Sequence, residues 1–130
     1  MIAADTSTWI AFLGGSSGQD VDLLDRALKD RQLLMPPVVL AELLSSPGLN
    51  REVVDLLLQI PLIELEDGYW QRTGLLRSCV LAKRRKARLG GAMIAQSCLD
   101  RGVPLLTRDS DFRAFVVASE LDLVLIVPGQ

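Results

Sequence analysis

The chain has 130 residues, 49% of them hydrophobic, and its 14 basic and 16 acidic side chains give a formal net charge of −2 at pH 7. This length predicts a single domain over residues 1–130 with its own core, and the net charge excludes binding to nucleic acid through an overall positive charge. No apolar stretch reaches the roughly 20 residues that span a bilayer, and the first residues lack the basic start and cleavage pattern of a signal peptide, so we expect a cytoplasmic protein without membrane association.

Short apolar segments alternate with helix-like patterns along the chain. In chain order, the predicted elements are a strand at 1–4, helices at 7–13 and 20–28, a strand at 32–35, helices at 37–44 and 51–59, a strand at 62–65, a helix from 67 or 68 to the basic residues that begin at 83, a helix at 92–101, a strand at 103–106, a helix at 110–118 and a strand at 123–127. The strands lack strict alternation of apolar and polar residues, which is typical of a parallel sheet covered on both faces. The pattern predicts an α/β fold, a three-layer α/β/α sandwich with a central parallel sheet of about five strands.

Several residues are expected to mark the ends of these elements. Asp20 and Asn50 are predicted to cap the helices that follow them, and Gly102 to close the helix at 92–101. Pro37 suits the first turn of a helix, where its missing N–H has no partner in any case. The glycine-rich segment 14–18 is predicted to be a mobile loop and not a phosphate-binding loop, because it lacks the following Lys and the required spacing.

Cysteines and aromatic residues are expected mainly in apolar surroundings. Cys79 and Cys98 both lie in apolar helix-like patterns, which favours buried, reduced thiols over a disulfide or a metal pair. For most of the aromatic residues we expect core or dimer contacts, with stacking on single-stranded bases as the alternative. These residues are Trp9, Trp70, Phe12, Phe112 and Phe115. The mean hydropathy of +0.30 is high for a free-standing soluble monomer, so we expect a homodimer or a bound protein to cover apolar surface.

Acidic residues stand beside predicted elements at three places in the chain. Asp5 follows the first strand, Glu42 lies in the helix at 37–44, and Asp109 and Asp111 follow the strand at 103–106. Such positions in an α/β sheet face one crevice at the carboxyl ends of the strands. Taken singly, Asp5 and Asp109 could be helix caps and Glu42 a surface residue. Taken together, the acids predict one site.

Four segments resemble motifs of the PIN domain family, and most of all those of the VapC-type toxins of prokaryotic toxin–antitoxin pairs. The segments are IAADTS at 2–7, PVVLAEL at 37–43, LGGAMIA at 89–95 and LLTRDSDF at 105–112. Each is weak alone, but all four occur in the right order over nearly the whole chain. The resemblance implies the PIN-like sandwich, an endoribonuclease that cleaves structured RNA, a homodimer and a cognate antitoxin protein that inhibits it.

One position departs from the family motif. Where PIN domains usually have Gly-Asp-Ala-x-Ile-Ala, this chain has GGAMIA at 90–95, so an acid is missing at Gly91. Glycine costs about 1 kcal/mol in a helix relative to alanine, and two glycines before a helix could form a flexible connector. Two explanations stay open: either this chain is an impaired or inactive form, natural or altered, or its other acids suffice.

The residue types point to metal-assisted hydrolysis. The chain contains no histidine, which excludes Ser-His and Cys-His mechanisms, and oxygen ligands without histidine favour Mg²⁺ or Mn²⁺ over zinc. Such an ion lowers the pKa of bound water and stabilises the leaving oxygen of an in-line displacement. The expected ligands are Asp5 at the centre, Glu42 directly or through water, and Asp109 with Asp111. Three hydroxyl groups are expected to hydrogen-bond the carboxylates or water, those of Thr6, Ser7 and Thr107.

A cluster of basic residues directly precedes the segment at 89–95. Its members are Lys83, Arg84, Arg85, Lys86 and Arg88. One interpretation is a solvated helix end, where cations suit the negative pole of the helix dipole. The other is a rim that binds the phosphates of RNA. Both interpretations can apply to the same cluster.

The sequence therefore favours a metal-dependent endoribonuclease of the VapC-like class. The alternative is a catalytically silent PIN-like module that binds antitoxin or RNA, and Gly91 is the feature that supports it. A third and weaker hypothesis is a phosphohydrolase acting on small substrates or a response-regulator-like acidic pocket. The latter requires a lysine after a later strand, which the sequence lacks.

Overall fold

Strands and helices alternate in the computed structural model, which describes residues 1–119 and 122–125. In chain order they are β1 Ile2–Ala4, α1 Thr6–Leu13, α2 Gln19–Lys29, β2 Leu33–Leu34, α3 Pro37–Leu44, α4 Arg51–Gln59, α5 Tyr69–Ala82, α6 Leu89–Arg101, β3 Leu105–Thr107, a one-turn 3-10 helix Ser110–Phe112, α7 Arg113–Ser119 and β4 Leu123–Leu125. Among the described residues, no helix is both long and apolar enough to cross a membrane.

The strands form one parallel sheet in the order β2-β1-β3-β4. β1 lies in its interior, where Ala3 is paired with Leu34 on one side and with Leu105 on the other. On the far side of β3, Leu105 is paired with Leu123. Parallel neighbours require crossover connections, and the helices that make them flank the sheet. The predicted α/β class with a helix-covered parallel sheet is therefore confirmed.

The strand predicted at 62–65 is reduced to a single bridge between Leu62 and Met35. Two backbone hydrogen bonds hold it, from Met35 N–H to the Pro61 carbonyl at 2.8 Å and from Ile63 N–H to the Met35 carbonyl at 2.9 Å. The pairing stops there because residue 37, whose N–H would be the next to face this segment, is a proline and begins α3. The segment still lies beside the end of β2, through this bridge.

The core lies between the sheet and its helices. Ala3 and Ala4 of β1 are fully buried, and so are Trp9 of α1, Leu24 of α2 and Val39 of α3. They belong to one hydrophobic cluster. Fully burying each large apolar side chain stabilises the fold by about 1.5–3 kcal/mol.

Asp20 does not cap α2, contrary to the prediction. The helix begins one residue earlier, after Gly18, which makes no side-chain cap. The Asp20 carboxylate is turned into the protein instead, where it accepts hydrogen bonds from Thr8 and Arg108. A long-range ion pair has replaced the local cap.

Helix α6 begins at Leu89, three residues before the predicted start. Gly90 and Gly91 therefore lie in its first turn and do not form a flexible connector. Their low helix propensity, about 1 kcal/mol each, is outweighed by the burial of the helix. The buried residues of α6 are Ala92, Ile94, Ala95, Gln96, Ser97 and Cys98.

Other boundaries agree with the sequence patterns to within a few residues. Asn50 Oδ1 accepts a hydrogen bond from Val53 N–H at 2.8 Å, and Gly102, with a φ of 72°, closes α6. The helix predicted at 110–118 is divided into the 3-10 turn and α7. The last predicted strand is present as β4, and its residues 126–127 lie outside the described part of the chain.

The burial prediction holds for Cys98 and is wrong for Cys79, which is exposed. The buried face of α5 runs through Thr73, Leu76 and Val80, and Cys79 lies beside that face. Burial raises the pKa of the Cys98 thiol to about 12, so this thiol stays protonated and inert at neutral pH.

The aromatic residues are divided between core and surface. Trp9, Phe112 and Phe115 are buried, as expected for core residues, and Phe12 is partly buried against the core. Trp70 is 60% exposed. A core role is therefore excluded for Trp70 within this chain.

Candidate functional site

Asp5 is buried at the junction of β1 and α1. Its Oδ1 atom accepts hydrogen bonds from the Ser7 hydroxyl at 2.6 Å and from the Thr8 N–H at 3.3 Å. Its Oδ2 atom accepts one from the Thr107 hydroxyl at 2.8 Å. The side chain is therefore the N-cap of α1 and, at the same time, a carboxylate fixed by two hydroxyls.

The pKa of Asp5 is raised above its ordinary value of 3.8. Burial is the main cause, the hydrogen bonds from Ser7, Thr107 and the Thr8 N–H oppose it, and the charge of Asp109 adds to it. Within residues 1–119 and 122–125, Asp5 forms no ion pair. A buried carboxylate without a basic partner favours the approach of a cation.

Glu42 lies on α3 and is exposed. The Thr6 hydroxyl, in the first turn of α1, donates a hydrogen bond to its Oε1 atom at 2.8 Å. This bond joins α1 to α3 through two residues that are 36 positions apart along the chain. Glu42 is therefore held towards the residues that follow β1.

The segment after β3 brings two more carboxylates to this place. Thr107, the last residue of β3, is fully buried, and its hydroxyl also accepts a hydrogen bond from the Asp109 N–H at 2.9 Å. Asp109 in turn caps the 3-10 helix by accepting from the Asp111 N–H at 2.9 Å. The predicted cap role of Asp109 thus coexists with a place near Asp5.

These residues meet at one crevice of about 420 Å³ at the carboxyl ends of β1 and β3. The four predicted acids line it, Asp5, Glu42, Asp109 and Asp111. The hydroxyl residues Thr6 and Ser7 line it as well, whereas Thr107 contacts Asp5 from behind. Its apolar wall consists of Ile10, Ile94, Phe112 and Phe115.

A family model for the PIN domain matches residues 2–117. This chain belongs to the PIN domain family. The match includes every acid of the crevice, and the resemblance noted in the sequence is confirmed. Comparison with curated protein sequences finds no significant match.

Solved structures with the same fold include one from a family of toxin–antitoxin systems. A chain of VapBC2 from Rickettsia felis, bound to a DNA fragment from its promoter, has a TM-score of 0.72 and 18% identity, with 96% of this PIN domain and 98% of that chain covered. A chain of VapBC-5 from Mycobacterium tuberculosis has a TM-score of 0.65 and 22% identity, with 95% of this PIN domain and 97% of that chain covered. A chain of FitAcB from Neisseria gonorrhoeae has a TM-score of 0.67 and 18% identity, with 95% of this PIN domain and 96% of that chain covered. At these identities the likeness shows the shared fold.

Gly91 lines the crevice of this PIN domain from the first turn of α6. A Cβ atom at this position would lie 3.4 Å from Cε2 of Phe115, an ordinary van der Waals contact, and 3.8 Å from Cζ. The backbone there is helical, so a larger residue introduces no strain in φ. A Cβ atom is therefore accommodated at position 91, at the wall of the crevice.

The donor chemistry of the crevice fits a hard divalent cation, because its ligands are carboxylate and hydroxyl oxygens. The number of converging acids is smaller than expected. Among residues 1–119 and 122–125, no three acidic, histidine or cysteine side chains come close enough together to hold a metal ion. Gly91 occupies a position from which a further carboxylate would reach the same crevice.

The basic cluster 83–88 divides into two parts. All five basic side chains are exposed, and Lys83 is the C-cap residue of α5, as expected for a solvated helix end. Lys86 and Arg88 line the crevice. Between them, Ala87 is buried and its carbonyl accepts a hydrogen bond from Arg77 Nε at 2.8 Å, which fixes the loop at the rim.

Sequence reasoning missed the role of Arg108 and of Asp20. Arg108 stands between two predicted site residues, and its guanidinium forms an ion pair with the buried Asp20, with 2.6 Å between Nε and Oδ2. Arg108 lies between two residues that face the site. A charged side chain in such a place indicated that it has a partner of opposite charge. The identity of that partner, 88 residues away, had no local signal.

Proposed function

We propose that this PIN domain is a metal-dependent endoribonuclease, the toxin of a toxin–antitoxin pair, whose activity is reduced by glycine at position 91. PIN domains are generally nucleases. The observation that carries the proposal is the buried carboxylate of Asp5, without a basic partner among the described residues, in a crevice that Glu42, Asp109 and Asp111 also line. The four carboxylates outnumber the basic side chains of Lys86 and Arg88 in the lining, and this surplus of negative charge favours a bound cation where an RNA phosphate approaches.

The acids of the crevice would hold Mg²⁺ or Mn²⁺, with Asp5 as the central ligand and Glu42, Asp109 and Asp111 around it. A bound ion would supply an activated water and would stabilise the charge of the phosphate. Ser7 and Thr107 hold the two oxygens of Asp5, and Thr6 orients Glu42. These hydroxyls play the part of outer-shell partners that fix ligand geometry.

The basic cluster would bind the RNA backbone. Lys86 and Arg88, at the rim of the crevice, would contact the phosphates next to the scissile bond. Lys83, Arg84 and Arg85 would extend the contact along a structured RNA. Because each neutralised phosphate releases counterions, binding through this cluster should weaken steeply with salt.

A protein partner and self-association belong to the same proposal. The Mycobacterium tuberculosis neighbour belongs to a toxin–antitoxin family, which supports a cognate antitoxin as inhibitor. Exposed apolar side chains, among them Ile10, Leu75 and Val117, support a homodimer and an antitoxin contact. The protein would act in the cytoplasm as a single domain.

A catalytically silent PIN domain that binds antitoxin or RNA is the second candidate. Two observations favour it: the glycine at position 91, and the lack of three converging acids among the described residues. Both functions use the same fold and the same basic cluster. An RNA cleavage assay distinguishes the nuclease from the silent binding module.

The decisive experiment is a cleavage assay on structured RNA with Mg²⁺, Mn²⁺ or chelator, using the parent, Gly91→Asp and Asp5→Asn. We expect weak metal-dependent cleavage by the parent, an increase of about tenfold or more for Gly91→Asp, and none for Asp5→Asn. The reason is that loss of an outer-shell partner typically lowers metal affinity or activity 10- to 100-fold. A direct ligand should matter at least as much. Inactivity of both the parent and Gly91→Asp would leave the silent binding module.

Melting temperatures of the same proteins provide a check that is independent of RNA. Two unit charges 4 Å apart repel by about 4 kcal/mol at an effective dielectric of 20, so Gly91→Asp should melt below the parent in chelator. Added Mn²⁺ should raise its melting temperature more than that of the parent, because the ion binds the folded state. Gly91→Asn is the matched control, since asparagine has the shape of aspartate without its charge. Equal metal responses in parent and Gly91→Asp would argue against a vacant ligand position.

A further inference from the structure

Behind the crevice lies an ion pair between Asp20 of α2 and Arg108 of the segment that follows β3. The two side chains make two parallel contacts, with Nε 2.6 Å from Oδ2 and Nη2 3.0 Å from Oδ1. Nη2 also donates to the Ser17 carbonyl at 2.7 Å. The Asp20 side chain is 0% exposed and that of Arg108 is 17% exposed. Paired, planar contacts of this kind fix geometry as well as charge.

Two chains of hydrogen bonds join this pair to Asp5. On one side, Thr8 donates its hydroxyl to Asp20 Oδ2 at 3.0 Å and its N–H to Asp5 Oδ1 at 3.3 Å. On the other side, the Arg108 N–H donates to the Ser7 hydroxyl at 3.0 Å, and that hydroxyl donates to Asp5 Oδ1 at 2.6 Å. Asp5, Thr8, Asp20, Arg108 and Ser7 therefore form a closed ring of contacts.

The ring determines where the neighbours of Arg108 point. Thr107 and Asp109 flank it in the chain, and both face Asp5 or the crevice. The guanidinium is directed to the opposite side, onto α2. Without Asp20, a free guanidinium beside four carboxylates would enter the crevice as a competing cation.

The loop before α2 is shaped around this pair. A Cβ atom at Gly18 would lie 2.6 Å from Nη2 of Arg108 and 2.7 Å from Oδ1 of Asp20. The φ of Gly18 is 150°, a conformation that side chains disfavour. The backbone thus approaches the pair as closely as only glycine allows.

We infer that Asp20 and Arg108 are positioning residues of the candidate active site. The pair holds Thr107 against Asp5, places Asp109 at the crevice and keeps the Arg108 guanidinium out of it. The role in catalysis rests on the proposed nuclease function. The geometric role can be measured without metal or RNA.

A second acid–arginine pair serves as the matched control. Arg72 and Asp100 also make paired contacts, with Nε 3.0 Å from Oδ1 and Nη2 2.7 Å from Oδ2. Neither residue lines the crevice. Asp100→Asn therefore breaks a pair of the same type at a distance from the site.

The test compares Asp20→Asn with Asp100→Asn, first by amide exchange without metal. We expect the exchange rate of the Arg108 amide, relative to that of the Ala3 amide in β1, to rise at least tenfold in Asp20→Asn and to stay unchanged in Asp100→Asn. Titration with Mn²⁺ alone should then show an affinity 10- to 100-fold lower in Asp20→Asn, as for lost outer-shell partners. If Asp20→Asn does not fold, Arg108→Lys replaces it, because lysine keeps the charge and loses the paired geometry. The same changes in amide ratio and Mn²⁺ affinity are then expected.

Equal amide ratios and equal Mn²⁺ affinities in Asp20→Asn and Asp100→Asn would overturn the inference. A raised amide ratio with unchanged Mn²⁺ affinity would also overturn it, because the pair would then be structural only. If the parent neither binds Mn²⁺ nor cleaves RNA, the proposed function fails, and the amide ratio alone decides the positioning role.

Discussion

The side chain of Asp5 shows how a local and a long-range role can coincide in one residue. As the N-cap of α1 it needs only the Thr8 N–H. Its second oxygen is bound by Thr107, 102 residues away, and burial raises its pKa. A cap alone gains nothing from burial, since capping carboxylates are equally effective at the surface. Its role as the N-cap of α1 therefore does not require the burial of Asp5.

Asp20 differs from Asp5 in the direction of its pKa shift. Burial alone would raise the pKa, but the hydrogen bonds from Arg108 and Thr8 outweigh burial and lower it below the ordinary value of 3.8. A lowered folded-state pKa means that ionised Asp20 stabilises the fold. This contribution is present in full above pH 3.8 and is lost as the pH falls through the lowered value.

We predict that Asp20→Asn destabilises the protein by about 3 kcal/mol at neutral pH, the cost of removing one partner of a buried ion pair. The difference from the parent should shrink as the pH falls below 3.8, because protonated Asp20 is neutral and similar in shape to asparagine. Urea unfolding of both proteins between pH 7 and pH 3 measures this. A difference that stays constant over this range would show that the charge of Asp20 contributes nothing.

At the scale of elements, α5 and α6 carry glycines with opposite backbone requirements. Gly74 lies within α5 and is exposed, whereas Gly102 ends α6 with a φ of 72°. A Cβ atom at either position would meet nothing within 4 Å. The two positions therefore differ in backbone conformation, whereas both have room for a Cβ atom.

We predict that Gly74→Ala raises the free energy of unfolding by about 0.5–1 kcal/mol, because alanine loses less conformational entropy in a helix. Gly102→Ala is the control and should lower it by about 1–2 kcal/mol, the cost of a left-handed conformation with a Cβ atom. Thermal or urea unfolding distinguishes the two. A destabilised Gly74→Ala protein would reveal a neighbour at that position, such as a second copy of the chain.

At the scale of the whole molecule, apolar side chains remain on the outer surfaces of α5 and α7. Leu75 and Val117 are each 68% exposed, and Trp70 is 60% exposed. These two helices pack against each other. Apolar surface of this kind is typical of a protein contact.

We predict that the protein forms a homodimer at micromolar concentration and that Leu75→Glu shifts it to the monomer, because an unpaired charge in an apolar contact is costly. Leu58→Glu is the matched control, since Leu58 is 58% exposed on α4, a different helix. Sedimentation velocity measures both. A parent that sediments as a monomer would exclude the dimer, and dissociation by Leu58→Glu alone would place the contact on α4.

The sequence by itself determined the order of the elements, the parallel α/β class, the family and the acids of the crevice. These depend on local signals: apolar periodicity, prolines and glycines at element ends, and motifs of a few residues. Asn50 and Gly102 were predicted as caps because a cap requires only its own helix. That Asp5, Glu42 and Asp109 line one crevice followed from the rule that parallel strands point their carboxyl ends to one edge.

Only the tertiary structure decided the features that depend on distant partners. Asp20 became part of a buried ion pair instead of a cap because Arg108 lies beside it. Leu62 formed a single bridge because α3 begins at Pro37, which has no N–H to continue the pairing. Helix α6 began at Leu89 because burial outweighed the propensity of two glycines. For Asp20 and for α6, an energy from packing or charge, of a few kcal/mol, exceeded a local preference of about 1 kcal/mol, and no local pattern in the sequence records which distant residue supplies it.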